Sequence, residues 1–191
     1  MALLKHGRLI ADPWVLADGD LAGLGHALVP LARWQAEREA LLAHDGRLGV
    51  LLAGDDDPAA IADDLKYLHM VALAFARFTD GRAYSAARLL RERYGFAGEL
   101  RAVGQVLRDQ LAFMQRVGFD AYELPDDADS FAWQSAFDEI GPVYQPAADR
   151  RRPVYTLRQA PSSAGGGGRA GFAAGAEATS RPKAVAAHWA Y

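Results

Sequence analysis

Short apolar runs alternate with longer stretches of helical period over the first 140 residues of the chain. Each run has four or five residues and is bounded by turn-forming or polar positions, which is typical of a strand buried on both faces. Between the runs, apolar residues recur at spacings of three and four, which indicates helices with one buried face. The predicted strands are residues 48–52, 71–75, 100–103 and 121–124. The predicted helices are residues 20–28, 30–43, 58–68, 83–94, 105–117 and 130–140.

Buried strands separated by helices predict an α/β fold whose parallel strands are joined by right-handed crossovers. Four strands make a small parallel sheet, either open or shaped like half of a (β/α) barrel. Such a sheet leaves two strand edges to cover. A homodimer, the N-terminal helices or the segment around Tyr155 would each cover an edge. In the helix over 105–117, the predicted buried face includes Leu107 and Phe113.

A change of composition near residue 146 predicts a domain boundary. Residues 1–145 are expected to form a single α/β domain with an N-terminal helical lead-in, and residues 146–191 form a tail rich in glycine, alanine and serine. Such a tail buries too little apolar surface to offset the entropy of ordering, so most of it is predicted to be disordered. Val154, Tyr155 and Leu157 are the exception, because they suit a short docked strand.

The formal net charge of −3 is unevenly distributed. Residues 146–191 hold seven basic and two acidic side chains, whereas the rest of the chain holds 14 basic and 22 acidic ones. An acidic domain lacks the basic face that phosphate contacts require, so we expect no nucleic acid partner. The basic tail is either a solvated linker or a segment that binds an acidic partner.

The chain has no cysteine, which excludes disulfides and thiolate nucleophiles and argues against an iron–sulfur cluster. Its five histidines are scattered without paired spacing, so no metal site is predicted. Dinucleotide and phosphate loop motifs are missing too, and we expect no cofactor. The apolar runs are far shorter than the roughly 20 residues of a membrane span, and the N-terminus lacks the pattern of a secretory signal. These features predict a cytoplasmic protein without membrane contact.

In parallel α/β folds, ligands bind beyond the carboxyl ends of the strands. After the second predicted strand, Thr79 and Asp80 form a turn. Arg82 and Ser85 follow at the start of the next helix, where backbone N–H groups and an arginine fork suit sulfate, sulfite, phosphate or carboxylate. The alternative is structural: Asp80 caps the helix, and Arg82 pairs with an acid on a neighbouring loop.

Two further residues are expected on the same rim of the sheet. Gln105 follows the third predicted strand, and Glu123 lies near the end of the fourth. If the rim is an active site, Asp80 or Glu123 is the candidate acid or base. Three consecutive aspartates at 55–57 resemble a metal-binding run, but acids in a turn before proline are usually exposed to solvent.

Several blocks between residues 75 and 124 recur, in order and with the same spacing, in one known family. They include Asp80-Gly81-Arg82 with Tyr84-Ser85, Gly98-Glu99-Leu100-Arg101, Leu107-Arg108-Asp109 and Gly118-Phe119-Asp120. On these blocks the chain resembles a bacterial family of unknown function, domain-of-unknown-function family nine-three-four. The resemblance extends weakly back to Trp34 and covers roughly residues 31–124.

Members of that family are often labelled probable oxidoreductases involved in sulfite reduction, because they are encoded near sulfite reductase. The resemblance therefore implies an accessory protein of assimilatory sulfite reduction, within sulfate assimilation, that binds sulfite reductase or a small oxyanion. The alternative is an enzyme, such as an oxidoreductase, with an anion-binding rim at the carboxyl ends of the strands. A third interpretation is a scaffold whose basic tail recruits an acidic partner.

Three positions depart from the pattern of that family. Ala76 stands where the family usually has proline, Gln105 where it has aspartate, and Val117 where it often has cysteine. The change at Gln105 weakens the transfer of any activity that depends on the aspartate. The change at Val117 indicates that the cysteine of the relatives is a core residue, since free cysteine packs as a small hydrophobic side chain.

Overall fold

A computed structural model of the chain describes residues 2–125, 128–139, 141–149 and 151–158. The strands are β1 (Ala2–Lys5), β2 (Arg8–Ile10), β3 (Val15–Leu16), β4 (His26–Pro30), β5 (Arg47–Leu52), β6 (Met70–Phe75), β7 (Glu99–Gly104) and β8 (Ala121–Leu124). The α-helices are α1 (Leu31–Leu42), α2 (Arg82–Arg88), α3 (Leu111–Val117), α4 (Ser130–Ser135) and α5 (Val154–Arg158). Two 3₁₀ helices cover Pro58–Tyr67 and Arg108–Gln110, and a π-helical turn, Leu89–Arg93, continues α2.

All eight strands form one sheet, in the order β2-β1-β8-β7-β6-β5-β4-β3. Strands β3 to β8 are parallel and follow one another in chain order, as in a (β/α) barrel. Strand β1 runs antiparallel to both of its neighbours, β2 and β8. The predicted α/β class is confirmed, whereas the prediction of a small sheet of four parallel strands is wrong.

The strands that the sequence pattern missed lie in the first 30 residues. Leu21, Leu24 and Leu28 have the spacing of a helix, but Leu28 lies in β4 and pairs with both β3 and β5, so the helix predicted over 20–28 is wrong. Strands β1 and β2 are short and carry polar residues. Their turn is formed by His6 and Gly7, whose φ angles of 48° and 72° match the type I′ turn that tight hairpins prefer.

The C-terminal part of the described chain also differs from the prediction. Residues 154–158 form the helix α5, not a strand. The Val154 backbone N–H donates to the Val143 carbonyl oxygen at 2.8 Å, which ties α5 to the segment before it. The first part of the predicted tail therefore contacts the domain. Residues 159–191, which include the glycine run, lie outside the described residues.

A short connection forces the sheet to curl. Residues 11–14, called the strap below, join the two edge strands β2 and β3. In a flat sheet of eight strands the edges would lie roughly 34 Å apart, at about 4.8 Å per neighbouring strand. The five chain steps from Ile10 to Val15 reach at most about 18 Å. The sheet is therefore curled like half a barrel, with the strap crossing its inner face.

The strap packs closely on the inner face of the curled sheet. Trp14 lies over Gly49 of β5, where an added Cβ would come within 3.1 Å of the indole ring. Trp14 also packs against Met70 and meets the ring of His26 edge-on, with ring centroids 5.2 Å apart. A side chain at position 49 would crowd the indole and Met70, so Gly49 lets the strap lie close against β5.

The opposite face of the sheet carries the main core, because the helices cover it. Phe75, Leu100 and Tyr122 point from the strands into this core, and Trp34 of α1 is fully buried there. The buried indole N–H of Trp34 donates to Asp64 at 3.0 Å. None of the helices in the described ranges combines the length and apolar character that crossing a membrane requires.

Asp64 joins α1 to the 3₁₀ helix Pro58–Tyr67 through a buried carboxylate. Arg38 donates to it from Nη2 at 2.6 Å and from Nε at 2.9 Å, in addition to the bond from Trp34. The bond from Arg38 is the main reason that the pKa of Asp64 lies below its ordinary value, and the bond from Trp34 adds to it. This carboxylate therefore stabilises the folded chain only while it is ionised.

We expect Asp64→Asn to lower the free energy of unfolding at neutral pH by about 1–3 kcal/mol, because bonds to a charged acceptor are lost. The loss should be fully present above the unfolded-state pKa of about 3.9. It should shrink as the pH falls through the lower pKa of the folded state, because wild-type Asp64 is then protonated as well. Denaturant unfolding across pH measures this difference. Asp63→Asn, an exposed neighbour, is the control, and an equal loss in both variants would contradict the role of Asp64.

Candidate functional site

The carboxyl ends of β5 and β6 and the start of α2 enclose a cleft of about 270 Å³. Most of its lining is apolar, from residues such as Leu52, Leu73 and Leu89. Its polar side chains are Arg82 and Ser85 from α2, and Asp55 and Asp56 from the loop after β5. The rim position that the sequence predicted for Arg82 and Ser85 therefore lies beside a real concavity. We call it the rim cleft.

Arg82 is bound by Asp80 two residues before it. Its Nη2 lies 2.7 Å from Asp80 Oδ2 and its Nε lies 3.0 Å from Oδ1. The same carboxylate accepts the Arg82 backbone N–H at 3.1 Å, so Asp80 also holds the start of α2. This arrangement is close to the structural alternative, but Asp80 stands one residue before the N-cap Gly81, and the partner of Arg82 is Asp80 and not an acid on a neighbouring loop. An anion at this point would have to compete with Asp80 for the guanidinium fork.

The bonds from Arg82 hold the pKa of the Asp80 carboxyl at about 2, well below its ordinary value. Asp80 is therefore ionised at neutral pH and has no proton to donate. A base with so low a pKa also accepts a proton poorly near neutral pH. The geometry thus assigns Asp80 to holding Arg82 and the helix start, and does not favour it as an acid or base.

The loop after β5 is built around its three aspartates. Asp56 accepts the Ala53 backbone N–H at 2.7 Å, and Asp57 accepts the Ala59 N–H at 2.9 Å at the start of the 3₁₀ helix. Asp55 lies beside the rim cleft. Asp80 is the main reason that the pKa of Arg82 is raised, and the charge of Asp55 adds a smaller increase. Within the described ranges, His, Asp and Glu side chains form no group of three able to hold a metal ion.

The other predicted rim residues support loops. Gln105 Oε1 accepts the Phe78 backbone N–H at 3.3 Å, and Glu123 Oε2 accepts the Gly104 N–H at 3.3 Å. Thr79 is exposed in the turn before α2. Only Arg82 and Ser85, of the six predicted residues, line the rim cleft. Gln105 and Glu123 lie at the ends of β7 and β8, where they hold the backbone of neighbouring residues.

An exposed aromatic surface lies beside these loops and was missed by the sequence pattern. Phe78 leaves 49% of its surface exposed and Phe113 leaves 54%, although Phe113 was predicted to be buried. Leu107, also predicted to face inward, is exposed as well. The ring of Phe113 packs on Tyr84, with centroids 5.1 Å apart. We call Phe78, Tyr84 and Phe113 the aromatic surface.

The position of Phe78 is fixed by its backbone. Its N–H donates to Gln105 Oε1, and its carbonyl oxygen accepts from Gln110 Nε2 at 3.2 Å. Gln110 lies one turn before Phe113, so this bond ties the backbone of Phe78 to the segment that carries Phe113. Such contacts depend on residues about 30 positions apart, and helical periodicity alone does not indicate them. The family resemblance, whose matched run includes Phe78, was the signal that pointed to this region.

A second cleft, of about 340 Å³, lies at the amino ends of β7 and β8. Its charged lining includes Asp149 and Arg151 on one part and the pair of Arg91 and Asp120, whose side chains are 2.9 Å apart, on another. Arg91 also donates to the carbonyl oxygens of Phe96, Gly98 and Gly118. Every nitrogen of this guanidinium is bound to the protein. The pair therefore joins three loops, and it is structural.

We expect Gly54→Ala to disturb the pair of Asp80 and Arg82 without unfolding the chain. An added Cβ at Gly54 would lie 3.0 Å from Asp80 Oδ2 and 3.1 Å from Arg82 Nη2, and both are ends of movable side chains. The pKa of Asp80, measured by NMR titration, should rise from about 2 towards its ordinary value. Gly81→Ala is the control, because its Cβ would meet nothing within 4 Å. An unchanged pKa in Gly54→Ala would contradict this account of the pair.

Comparison with known proteins gives one match. The model of a family described as bacterial protein of unknown function (DUF934) matches residues 49–155, which is more than half of the chain. The matched range includes the rim cleft and the aromatic surface. The search of curated proteins and the search of solved structures found no match to the chain.

Proposed function

Because the chain belongs to the DUF934 family of bacterial proteins of unknown function, we propose that it is an accessory protein of assimilatory sulfite reduction that binds sulfite reductase. The link to this process comes from the sulfite-reduction label that the family resemblance carries. The exposed and rigidly held Phe78 is the observation that supports binding to a protein. The aromatic surface is the proposed contact.

Exposed aromatic side chains in fixed positions are the residues that contribute most to protein interfaces. Phe78 meets this description, since both its backbone N–H and its carbonyl oxygen are bound by glutamine side chains. The backbone that carries the ring is therefore already ordered, so a partner that covers the ring orders only two side-chain torsions. Phe113 rests on Tyr84, which in turn packs on buried Phe75, so the surface continues into the core.

The rim cleft favours a protein partner over a free oxyanion at Arg82. The guanidinium fork of Arg82 is already occupied by Asp80. Asp55 and Asp56 line the same cleft, so acids outnumber the one base there. A free anion would meet like charges and would have to displace a bound carboxylate. An apolar side chain from a partner fits the lining of the rim cleft better.

We expect Phe78→Ala to weaken binding to purified sulfite reductase by about 30-fold, the loss typical of an interface hot spot. The fold should persist because the ring is exposed. Tyr67→Ala is the matched control: Tyr67 is a similarly exposed aromatic residue, and it lies before β6, at the opposite end of the sheet from Phe78. Calorimetry or surface plasmon resonance measures both. Equal affinities for the two variants would contradict the proposed contact, and no binding by wild type would contradict the proposed partner.

A further inference from the structure

Arg101 is almost completely buried on the inner face of the sheet, with 3% of its surface exposed. Its Nη1 donates to Asp12 of the strap at 2.6 Å, and its Nε donates to Glu99 at 2.8 Å. The buried Nη2 lies 2.7 Å from the same Glu99 oxygen, without the direction of a hydrogen bond. Among the described residues, Nη2 of this guanidinium therefore has no hydrogen-bond acceptor in a suitable direction.

We propose that Arg101 anchors a binding site for a small oxyanion, and that the Asp12 carboxylate occupies this site as an internal substitute for the ligand. A carboxylate or sulfate-type anion has two oxygens that can bind Nη1 and Nη2 of one fork together. Asp12 reaches Nη1 alone. This site is separate from the rim cleft, and its existence does not depend on the proposed binding of sulfite reductase.

The surroundings of Arg101 indicate a ligand more than a structural need. The strand register places Arg101 opposite Ala72 of β6 and Ala121 of β8. Two alanines leave the flanks of the guanidinium free of bulky side chains. Burying an ion pair also costs desolvation free energy, which an apolar side chain at the same place would avoid. A buried arginine between two alanines therefore costs more free energy than an apolar side chain would at the same position on the inner face.

Asp12 lies where a ligand from solvent would enter. Its side chain is 30% exposed, so the carboxylate stands between the buried guanidinium and water. Asp12 and Pro13 are both exposed, and the packing that holds the strap comes from Trp14. Rotation of the Asp12 side chain away from Arg101 would open the site without breaking any strand pairing.

Within the cluster of charges that contact one another around Arg101, the balance favours an anion once Asp12 has left. Glu123, on the same face of β8 as Ala121, is outside this cluster and accepts the Gly104 N–H. Lys5 lies 2.7 Å from Glu99, so two cations and two carboxylates are balanced while Asp12 is in place. Without Asp12, Lys5 and Arg101 share the single carboxylate of Glu99. The resulting positive charge lies among buried residues, where solvent screens it less than at the surface.

Asp12→Asn tests the proposal, because asparagine removes the charge but keeps the Oδ1 acceptor that binds the Trp14 backbone N–H at 3.0 Å. Calorimetric titrations with sodium sulfate and with sodium acetate, at an ionic strength held constant with chloride, measure binding. We expect at least one of these anions to bind Asp12→Asn ten times more tightly than wild type. Tighter binding of acetate would identify a carboxylate ligand, and tighter binding of sulfate a tetrahedral one.

Asp63→Asn is the matched control, because it makes the same change in net charge at an exposed side chain. We expect it to bind both anions as wild type does. The proposal is overturned if Asp12→Asn binds neither anion more tightly than wild type, or if Asp63→Asn gains as much. The first result would assign the pair to structure alone, and the second would assign the gain to net charge.

Arg101→Lys in the Asp12→Asn background keeps the positive charge but removes the fork, and it should return the affinity at least tenfold towards wild type. If this double variant does not fold, NMR of Asp12→Asn itself gives a second readout. The Arg101 Nε–H signal should shift as the anion is added, while the Arg82 signal stays in place. A titration that moves the Arg82 signal alone would overturn the proposal.

Discussion

The strap on the inner face is the constraint on which the rest of the structure depends. Its few residues must join the two outermost strands, so the sheet cannot be flat, and the carboxyl ends of β5 to β8 gather on one curved rim. The packing of Trp14 over Gly49 holds the strap in this position, and from there Asp12 reaches the buried Arg101. The loops after β6 and β7 lie side by side because these two strands pair directly, with Phe75 opposite Gly104, and this adjacency fixes the aromatic surface that the proposed function requires.

The four strands β5 to β8 could be predicted within about one residue at each end, because most of their residues are buried and apolar. The strands in the first 30 residues could not be predicted. Leu21, Leu24 and Leu28 imitate a helical period, and β3 has only two residues, too few to show any period. The position of β1 beside β8 depends on residues about 120 positions apart, which no local pattern contains.

The parts of the candidate site that are formed by residues close together in the sequence could be predicted. Asp80 was predicted to hold the start of the helix, and it accepts the Arg82 backbone N–H there, whereas the ion pair of Arg82 was predicted with an acid on a neighbouring loop and is formed with Asp80. The exposure of Phe113 was not predictable, because its position in the helical period is that of a buried residue. Arg101 was not predicted as a site residue, because it lies within a mostly apolar strand and its partner Asp12 comes from the strap, 89 positions earlier. Residues brought together only by the curl of the sheet were therefore the ones that the sequence did not reveal.

The most direct test of the accessory role is growth of a strain that lacks this protein on sulfate, sulfite, sulfide or cysteine as the sole sulfur source. The account predicts poor growth on sulfate and sulfite, and normal growth on sulfide and cysteine, which enter after the sulfite step. A wild-type copy should restore growth on sulfite, and a Phe78→Ala copy should restore it less well than a Tyr67→Ala copy. Normal growth of the deletion strain on all four sources would contradict the proposed role.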